Sequence, residues 1–424
     1  MKALVIGSGG REHAIVWKLS KSRHIDKIYC CPGNAGISEI AECIDIDPLD
    51  FDKLKDFVRY EWVEITIVGP EQPLALGIVD CFQRDGLKIL GPNSMASRLE
   101  SSKSFAKDFM KRHKIPTANY SVFNSFTLAE EYIRLKGAPI VIKADGLAGG
   151  KGVFVASTID EAIFALKIIF KDNVFGEAGN QVVIEECLQG EEASFMVFTD
   201  GHTIIPMASS QDHKRVFDKD EGPNTGGMGA YSPAPVVTEQ LKDLIMDRII
   251  SKTIAGLRSE GIIYKGILYA GLMIKDNNPY VLEFNCRLGD PETQAILSRL
   301  ESDLFEIAIA INDERLKDLD VLWTDKPSVC IVVASEGYPG SYQNGKRIEG
   351  LDKVKQLKDT FVFHAGTACR DNEIVTNGGR VLGITSLGKD ILDAQRKAYE
   401  AVQYIKFEGM HYRKDIAERA IKRL

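Results

Sequence analysis

Glu283 and Asn285 stand two residues apart near the end of an apolar run, in the segment VLEFNCRLGDPETQ at 281–294. On a strand that spacing turns both side chains to one face. Two hard oxygen donors on one face suit Mg²⁺, which prefers oxygen and shares its sites with substrate phosphates. An acid between Leu282 and Phe284 is costly on an apolar strand unless paired or metal-bound. That cost weighs against a chance buried polar pair. Arg287 and Asp290 follow in a glycine-containing loop.

A metal of this kind implies phosphate ligands nearby. Lys143 and Lys151 bracket the glycine-rich stretch KADGLAGGKGV at 143–153. It is not a P-loop, because Asp145 stands where glycine is needed and Gly152 where serine or threonine is needed. It still suits a triphosphate. Lys143 on a strand would neutralise α/β-phosphate oxygens as a compact point charge, and the hairpin of Gly149, Gly150 and Lys151 would close over the γ end. Glycine-rich hairpins with lysine also occur on ordinary surfaces.

The run VVIEECLQGEE at 182–192 drives an apolar strand into Glu185 and Glu186, then through Leu188 to Glu192. The backbone of such a strand end can read an adenine edge, and a carboxylate a few residues on can hold ribose hydroxyls. A solvated acidic turn is the plainer reading of the same cluster. QDHKR at 211–215, with Asp212 and Lys214, precedes GPNTGGMGAY at 222–231. That loop is too long and glycine-rich for a simple turn, and such loops often close over substrates. Composition alone would leave it a surface loop.

GSGGREHA at 7–14 is a strand-to-helix turn whose N–H groups, at Gly9 and Gly10, could receive an anion. It fails the dinucleotide fingerprint, since position 12 is Glu12 and the next strand ends in Cys30-Cys31-Pro32 without an acid. A phosphate or ribose phosphate fits better. His13, His213 and His364 have no partner at metal-ligand spacing and are read as structural.

Positioning these groups requires several layers. In 1–100, strands at 3–6, 27–31, 64–68 and 88–90 alternate with helices at 11–19, 51–61 and 74–85, which implies a doubly wound parallel sheet. Gly, Pro or Asn follows each strand, where such sheets bind ligands. A charged helix follows at 101–120. Residues 120–190 read as a small α+β unit with strands at 140–144, 152–156 and 181–185. Residues 191–325 form a second α+β half with strands at 194–199, 203–207, 266–275 and 280–284. A linker at 323–327 leads to β-rich text from 329 and a final helix near 387–406.

The 424 residues allow two to four domains, and 44% hydrophobic with 27% charged residues is ordinary for a soluble globular chain. A formal net charge of −7 argues against nucleic-acid binding by bulk charge. No signal peptide is read at the N-terminus, and no apolar run reaches membrane-spanning length. The eight cysteines are scattered without a Cys-x-x-Cys pair, which reads as thiols of a cytoplasmic protein without zinc or disulfides.

Together the segments resemble the glycinamide ribonucleotide synthetase (phosphoribosylamine–glycine ligase) family of the ATP-grasp superfamily, over essentially the whole chain. The resemblance rests on GSGGREHA, GPEQPLALG at 69–77, SSKSFAKDFM at 101–110, KADGLAGGKGV and IEE at 184–186. It continues through QDHKR, GPNTGGMGAYSP at 222–233, LYAGLM at 268–273, EFNCRLGDPETQ at 283–294 and TNGGRVL at 376–382. Gly149 departs from the alanine more usual there. The resemblance implies an N-terminal α/β domain at 1–102, an ATP-grasp domain of two α+β subdomains at 103–326 with its lid at about 120–190, and a small β-rich C-terminal domain at 327–424. It implies ATP as co-substrate, Lys103 and Lys143 on phosphates, Glu185–Leu188 at adenine and Glu192 at ribose. It puts Mg²⁺ or Mn²⁺ on Glu283 and Asn285, and phosphoribosylamine at Gly9, Gly10 and the 32–36 turn that includes Asn34. Arg287 would neutralise the transferring phosphoryl group, and Asp290 or Asp212 would hold the glycine ammonium. The implied partners are ATP, glycine and 5-phosphoribosylamine, with no nucleic acid or membrane, and the chain would act as a monomer in early purine synthesis. Two other readings use the same residues: an ATP-grasp carboxylase acting on bicarbonate, and a non-catalytic nucleotide sensor.

Overall fold

The computed structural model describes residues 1–149, 151–172 and 174–423. The N-terminal sheet has five strands, all paired in parallel. Their order is Glu42–Cys43, Lys27–Pro32, Lys2–Gly7, Ile65–Val68, Ile89–Leu90. The central strands Lys2–Gly7 and Ile65–Val68 are mostly apolar and buried because both faces are covered. Ala3, Val5, Ile28 and Ile65 pack with Ile15 and Leu19, and with Phe305 and Ile311 from far along the chain. Leu4, Ile6 and Tyr29 face Leu54, Val58 and Phe82. The edge strand Glu42–Cys43 is too short to announce itself in the sequence. The helix expected over 74–85 is two helices, Glu71–Ala75 and Ile78–Arg84. Gly77 lies between them at φ 87°, a left-handed conformation that glycine adopts without strain.

The next unit is a four-stranded antiparallel sheet in the order Tyr120–Phe123, Val182–Glu186, Ile140–Ala144, Val153–Ala156. Helices Phe126–Lys136 and Ile159–Phe170 pack on one face, burying Ile133, Leu166 and Ile169 against Ile142 and Ile184. The opposite half holds a second four-stranded sheet: Ile204–Pro206, Glu191–Thr199, Gly266–Lys275, Asn278–Asn285. Its last strand carries a bulge. Gly271 faces Glu283 while the next residue, Leu272, faces Val281, so Leu282 is the extra residue. Bulges re-aim side chains beside functional sites. Here Leu282 and Glu283 are both half-buried, whereas Val281 and Phe284 are buried.

The third large sheet joins distant parts of the chain. Gly229–Ser232 pairs antiparallel with Ser328–Ser335, and Gln211–Asp212 pairs with Gly229–Ser232. Arg380–Leu387 and Thr360–His364 complete that side. The segment carrying Asp212 and Lys214 is therefore held by the same sheet as the C-terminal strands. Gly229 allows the close approach: a Cβ there would lie 2.7 Å from Ile416 Cδ1 and 2.8 Å from the Cys330 carbonyl oxygen. The last long helix, Ile391–Val402, packs its alanine-rich face on this sheet.

Candidate active site

A cleft of about 1180 Å³ opens between the two four-stranded sheets, and it gathers most of the expected residues. Lys103, Lys143 and Gly149 line one side; Glu185, Glu186 and Leu188 line the hinge end. Glu192, Asp212, Lys214, Glu283, Asn285, Arg287 and Asp290 line the other wall. Lys151 is exposed and does not line the cleft. Gly150 lies outside the described residues. A second cavity, about 470 Å³, sits at the carboxyl ends of Lys2–Gly7 and Ile65–Val68. These neighbouring strands flank the point where the sheet order reverses, the usual ligand crevice of such sheets. Both cavities are bordered by Arg11, Pro70 and Asp290, so they meet.

Gly9 lines the smaller cavity, but its N–H, expected to face a phosphate, donates to Glu12 Oε2 at 2.6 Å. The chain's own carboxylate thus takes the helix start. Gly10 and Asn34 line neither cavity. A Cβ on Gly10 would meet Gln294 Nε2 at 2.5 Å. Asn34 Nδ2 donates to the Ser8 and His364 carbonyls, and its Oδ1 accepts the Gly36 and Ile37 N–H groups. Its geometry is that of a clasp between the first and last domains.

Glu283 and Asn285 face the cleft with Phe284 buried between them. Among the described residues neither side chain has a protein hydrogen-bond partner. Burial opposes ionisation of Glu283, yet Lys214, Lys143 and Lys103 outweigh it and hold its pKa below the ordinary glutamate value. A charged carboxylate and an amide oxygen, both open to the cleft, form a donor set that fits a hard divalent cation.

The lysines are individually fixed. Lys143 Nζ lies 2.9 Å from Glu185 Oε1 and donates to the Leu282 carbonyl at 3.0 Å. Lys103 Nζ donates to the Gly146 carbonyl at 2.9 Å. Lys214 Nζ lies 2.8 Å from Glu192 Oε2. Burial works against the Lys214 charge, but Glu192, Asp212 and Glu283 raise its pKa well above normal. Asp212 has no hydrogen-bond partner among the described residues. Burial pushes its pKa up to about 7; Lys214 opposes this, and Glu292, Glu192 and Glu283 add to it.

Arg287 Nη2 lies 2.8 Å from Glu100 Oε1 and its Nε 3.4 Å from Glu71 Oε2. Asp290 is held by Gln294 Nε2 at 2.8 Å and by Arg380 Nη2 at 3.2 Å. Arg380 also donates to the carbonyls of Gly226 and Asp290, at 2.8 and 2.7 Å, tying the glycine-rich loop to the loop after strand Asn278–Asn285. Glu292 is buried, accepting from Tyr269 Oη at 2.6 Å and Ser194 Oγ at 3.0 Å. Sequence reasoning singles out none of Glu71, Glu100, Lys107, Tyr269, Glu292 or Arg380. Several lie inside the family segments, but nothing in their local spacing distinguishes them from a solvated face.

The three histidines are structural in geometry. Burial lowers His13 and His213 to about 3 and His364 to about 4. His13 Nδ1 accepts the His364 N–H, and His213 Nε2 accepts the Ala417 N–H.

Models of the phosphoribosylglycinamide synthetase family match this chain in order, the N domain over 1–100, the ATP-grasp (A) domain over 101–293 and the C domain over 328–419. The chain belongs to the phosphoribosylglycinamide synthetase family. A phosphoribosylamine–glycine ligase of Vibrio parahaemolyticus is 52% identical to it over 426 residues, covering 100% of this chain and 99% of that one. One of Escherichia coli is 52% identical over 427 residues, with the same coverage of both chains. The crystal structure of phosphoribosylamine–glycine ligase from Thermotoga maritima matches with a TM-score of 0.82 at 34% identity, covering 98% of this chain and 100% of that one. Biotin carboxylase from Campylobacter jejuni shares the ATP-grasp fold, with a TM-score of 0.72 at 16% identity over 97% of this chain and 92% of that one. All eight cysteines are free, and among the described residues no helix is long and apolar enough to cross a membrane.

Proposed function

We propose that the cleft activates glycine as glycyl phosphate and passes it to 5-phosphoribosylamine held in the smaller cavity. The net reaction, 5-phosphoribosylamine + glycine + ATP → glycinamide ribonucleotide + ADP + phosphate, is a step of purine biosynthesis. The meeting of the two cavities at Arg11, Pro70 and Asp290 carries this reading, because the amine must reach the activated carbonyl without release of the intermediate.

The chemistry needs two displacements, since a carboxylate is a poor electrophile. A glycine carboxylate oxygen attacks the γ-phosphorus, the bond to the β-phosphate oxygen breaks, and ADP leaves. The phosphoribosylamine nitrogen then attacks the carbonyl carbon, the carbonyl–O–phosphate bond breaks, and phosphate leaves as the nitrogen loses its proton. Lys103 and Lys143 neutralise phosphate oxygens, the Glu185–Leu188 backbone reads adenine, and Glu192 holds the ribose. Glu283 and Asn285 would hold Mg²⁺, for which Mn²⁺ could substitute, and the ion when bound offsets charge on the transferring phosphoryl group. Ser8, Arg11, Asp47 and Gln72 form the polar rim of the phosphoribosylamine cavity. One chain supplies both cavities, which suits a monomer, and free thiols suit a reducing cytoplasm.

Either Asp212 or Asp290 could hold the glycine ammonium on charge type, and the geometry favours Asp212. Asp290 already has Arg380 and Gln294, whereas Asp212 lacks a hydrogen-bond partner among the described residues. A cation is held only by the ionised carboxylate, and Asp212 in the free protein protonates as pH falls through about 7. The KM for glycine is therefore expected to rise by up to about tenfold per pH unit below that point. Asp212→Asn should raise it at pH 8 and flatten its pH dependence; an unchanged profile removes Asp212 from this role.

Hydroxylamine intercepts acyl phosphates. With ATP and glycine but no phosphoribosylamine, the protein is expected to form glycine hydroxamate and ADP. ADP formation without hydroxamate at saturating hydroxylamine would contradict the glycyl phosphate.

A further inference from the structure

Lys107 is a buried charge that the mechanism above does not use. It sits on helix Lys103–Arg112, one turn after Lys103, with 2% of its side chain exposed. Its Nζ lies 2.9 Å from Glu185 Oε2, while Lys143 Nζ lies 2.9 Å from the other oxygen, Oε1. Glu185 is likewise 2% exposed, so one buried carboxylate is shared by two lysines. Lys107 also donates to Thr117 Oγ1 at 2.7 Å, and Thr117 Oγ1 donates to the Val281 carbonyl at 2.6 Å. Lys143 reaches the adjacent carbonyl, Leu282. The two lysines thus stitch the lid strand that carries Glu185 to the strand that carries Glu283.

We propose that Lys107 is a positioning residue for the nucleotide: it neutralises Glu185 so that the charge of Lys143 stays available to the phosphates of ATP. The proposal deepens the reading of Lys143 as a phosphate ligand and rests on it. Lysine has three donors. Lys143 donates one to Leu282 and faces Glu185 as an ion pair at 2.9 Å, which leaves donor capacity for the cleft. With Lys107 present, the two lysines and Glu185 sum to one positive charge at the phosphate site. Without it, Glu185 and Lys143 form a closed neutral pair, and in a buried setting that pair strongly resists opening. Lys107 is too enclosed, and its donors too occupied, for the phosphates to be its main partner.

Charge arithmetic supplies the test. Lys107→Met is expected to raise the KM for ATP by about tenfold or more, with the KM for glycine within about twofold, since an uncompensated pair in a buried site changes binding on that scale. The double variant K107M/E185Q removes both charges, leaves Lys143 free of its counter-ion, and should recover most of the loss. A purely structural lysine would give a double variant no better than the single one, and a lysine that touches ATP directly would do the same. Either result overturns the proposal, as does a wild-type KM for ATP in K107M. Should K107M not fold, K107Q keeps hydrogen-bonding capacity without the charge and must show the same rise and the same rescue by E185Q. Lys143→Met is run alongside. If it leaves the KM for ATP unchanged, the reading of Lys143 has failed; if it raises it while K107M does not, only the role of Lys107 has failed.

Discussion

Replacing Glu283 with alanine is expected to lower turnover by roughly a thousandfold, the scale of losing one preorganised electrostatic contributor in a water-excluded site. Glu283 is the carboxylate of the open donor pair, and Asn285 alone offers a neutral oxygen. The same substitution removes the negative charge that Lys103, Lys143 and Lys214 surround, since these three lysines lower the Glu283 pKa against the effect of burial. Four groups would then lose their balance: the cation its anchor, and each lysine a neighbour. The KM for ATP should rise as well, because the metal binds jointly to protein and phosphates. Glu283→Gln separates the two contributions. It keeps the shape and an oxygen, so the strand and its Leu282 bulge should persist while activity stays low. Turnover within about tenfold of wild type in Glu283→Ala would mean that the open donor pair is not the metal site.

Arg287→Lys comes second, with turnover expected to fall about a hundredfold and the KM for ATP to stay within about twofold, as for loss of a planar, multiply bonded guanidinium. Arg287 is fixed from several directions: Glu100 at 2.8 Å, Glu71 at 3.4 Å and the Leu288 carbonyl at 3.2 Å. Burial disfavours its charge, but Glu100 and Glu71 more than restore it, and its pKa is raised. Lysine is a point charge that cannot keep those divergent contacts, so the cationic centre shifts and Glu100 and the half-buried Glu71 lose their shared partner. Glu71 and Glu100 come from the N-terminal region and Arg287 from the loop after strand Asn278–Asn285. The arginine therefore lines the cleft beside Glu71 and Glu100, and none of its polar contacts among the described residues is to the proposed adenine segment Glu185–Leu188. That placement is why turnover should suffer more than nucleotide affinity. Steady-state kinetics, with melting temperature as a control for folding, resolves the two; equal losses in both parameters would place Arg287 on the nucleotide.

How much of this was legible in the sequence depends on the distance over which each feature is encoded. Glu283 and Asn285 could be read because a two-residue period is a local property of a strand. Lys143 could be read because its glycine-rich neighbourhood fails one phosphate pattern while keeping its chemistry. The bulge at Leu282 could not, since it is defined by a partner strand that shows the same apolar text with or without it. Lys107 looks like one cation among several on a charged helix; only the fold reveals Glu185 beside it. Arg287 was visible, but its partners at 71 and 100 stand far upstream in the sequence. The segment 222–231 reads as a loop, and only pairing with Gln211–Asp212 and Ser328–Ser335 makes a strand of its end at Gly229–Ser232. Gly9 shows the reverse case. The turn looks ready for an anion, and a residue inside the same motif, Glu12, supplies one.

The central claim is that one cleft couples ATP cleavage to glycine and phosphoribosylamine together. ADP release by the purified protein, with freshly generated phosphoribosylamine and each substrate omitted in turn, tests it most directly. The expected result is one ADP per glycinamide ribonucleotide formed, no more than background ADP without glycine, and no restoration when bicarbonate replaces glycine. ADP release that ignores glycine, or that bicarbonate supports, would contradict it.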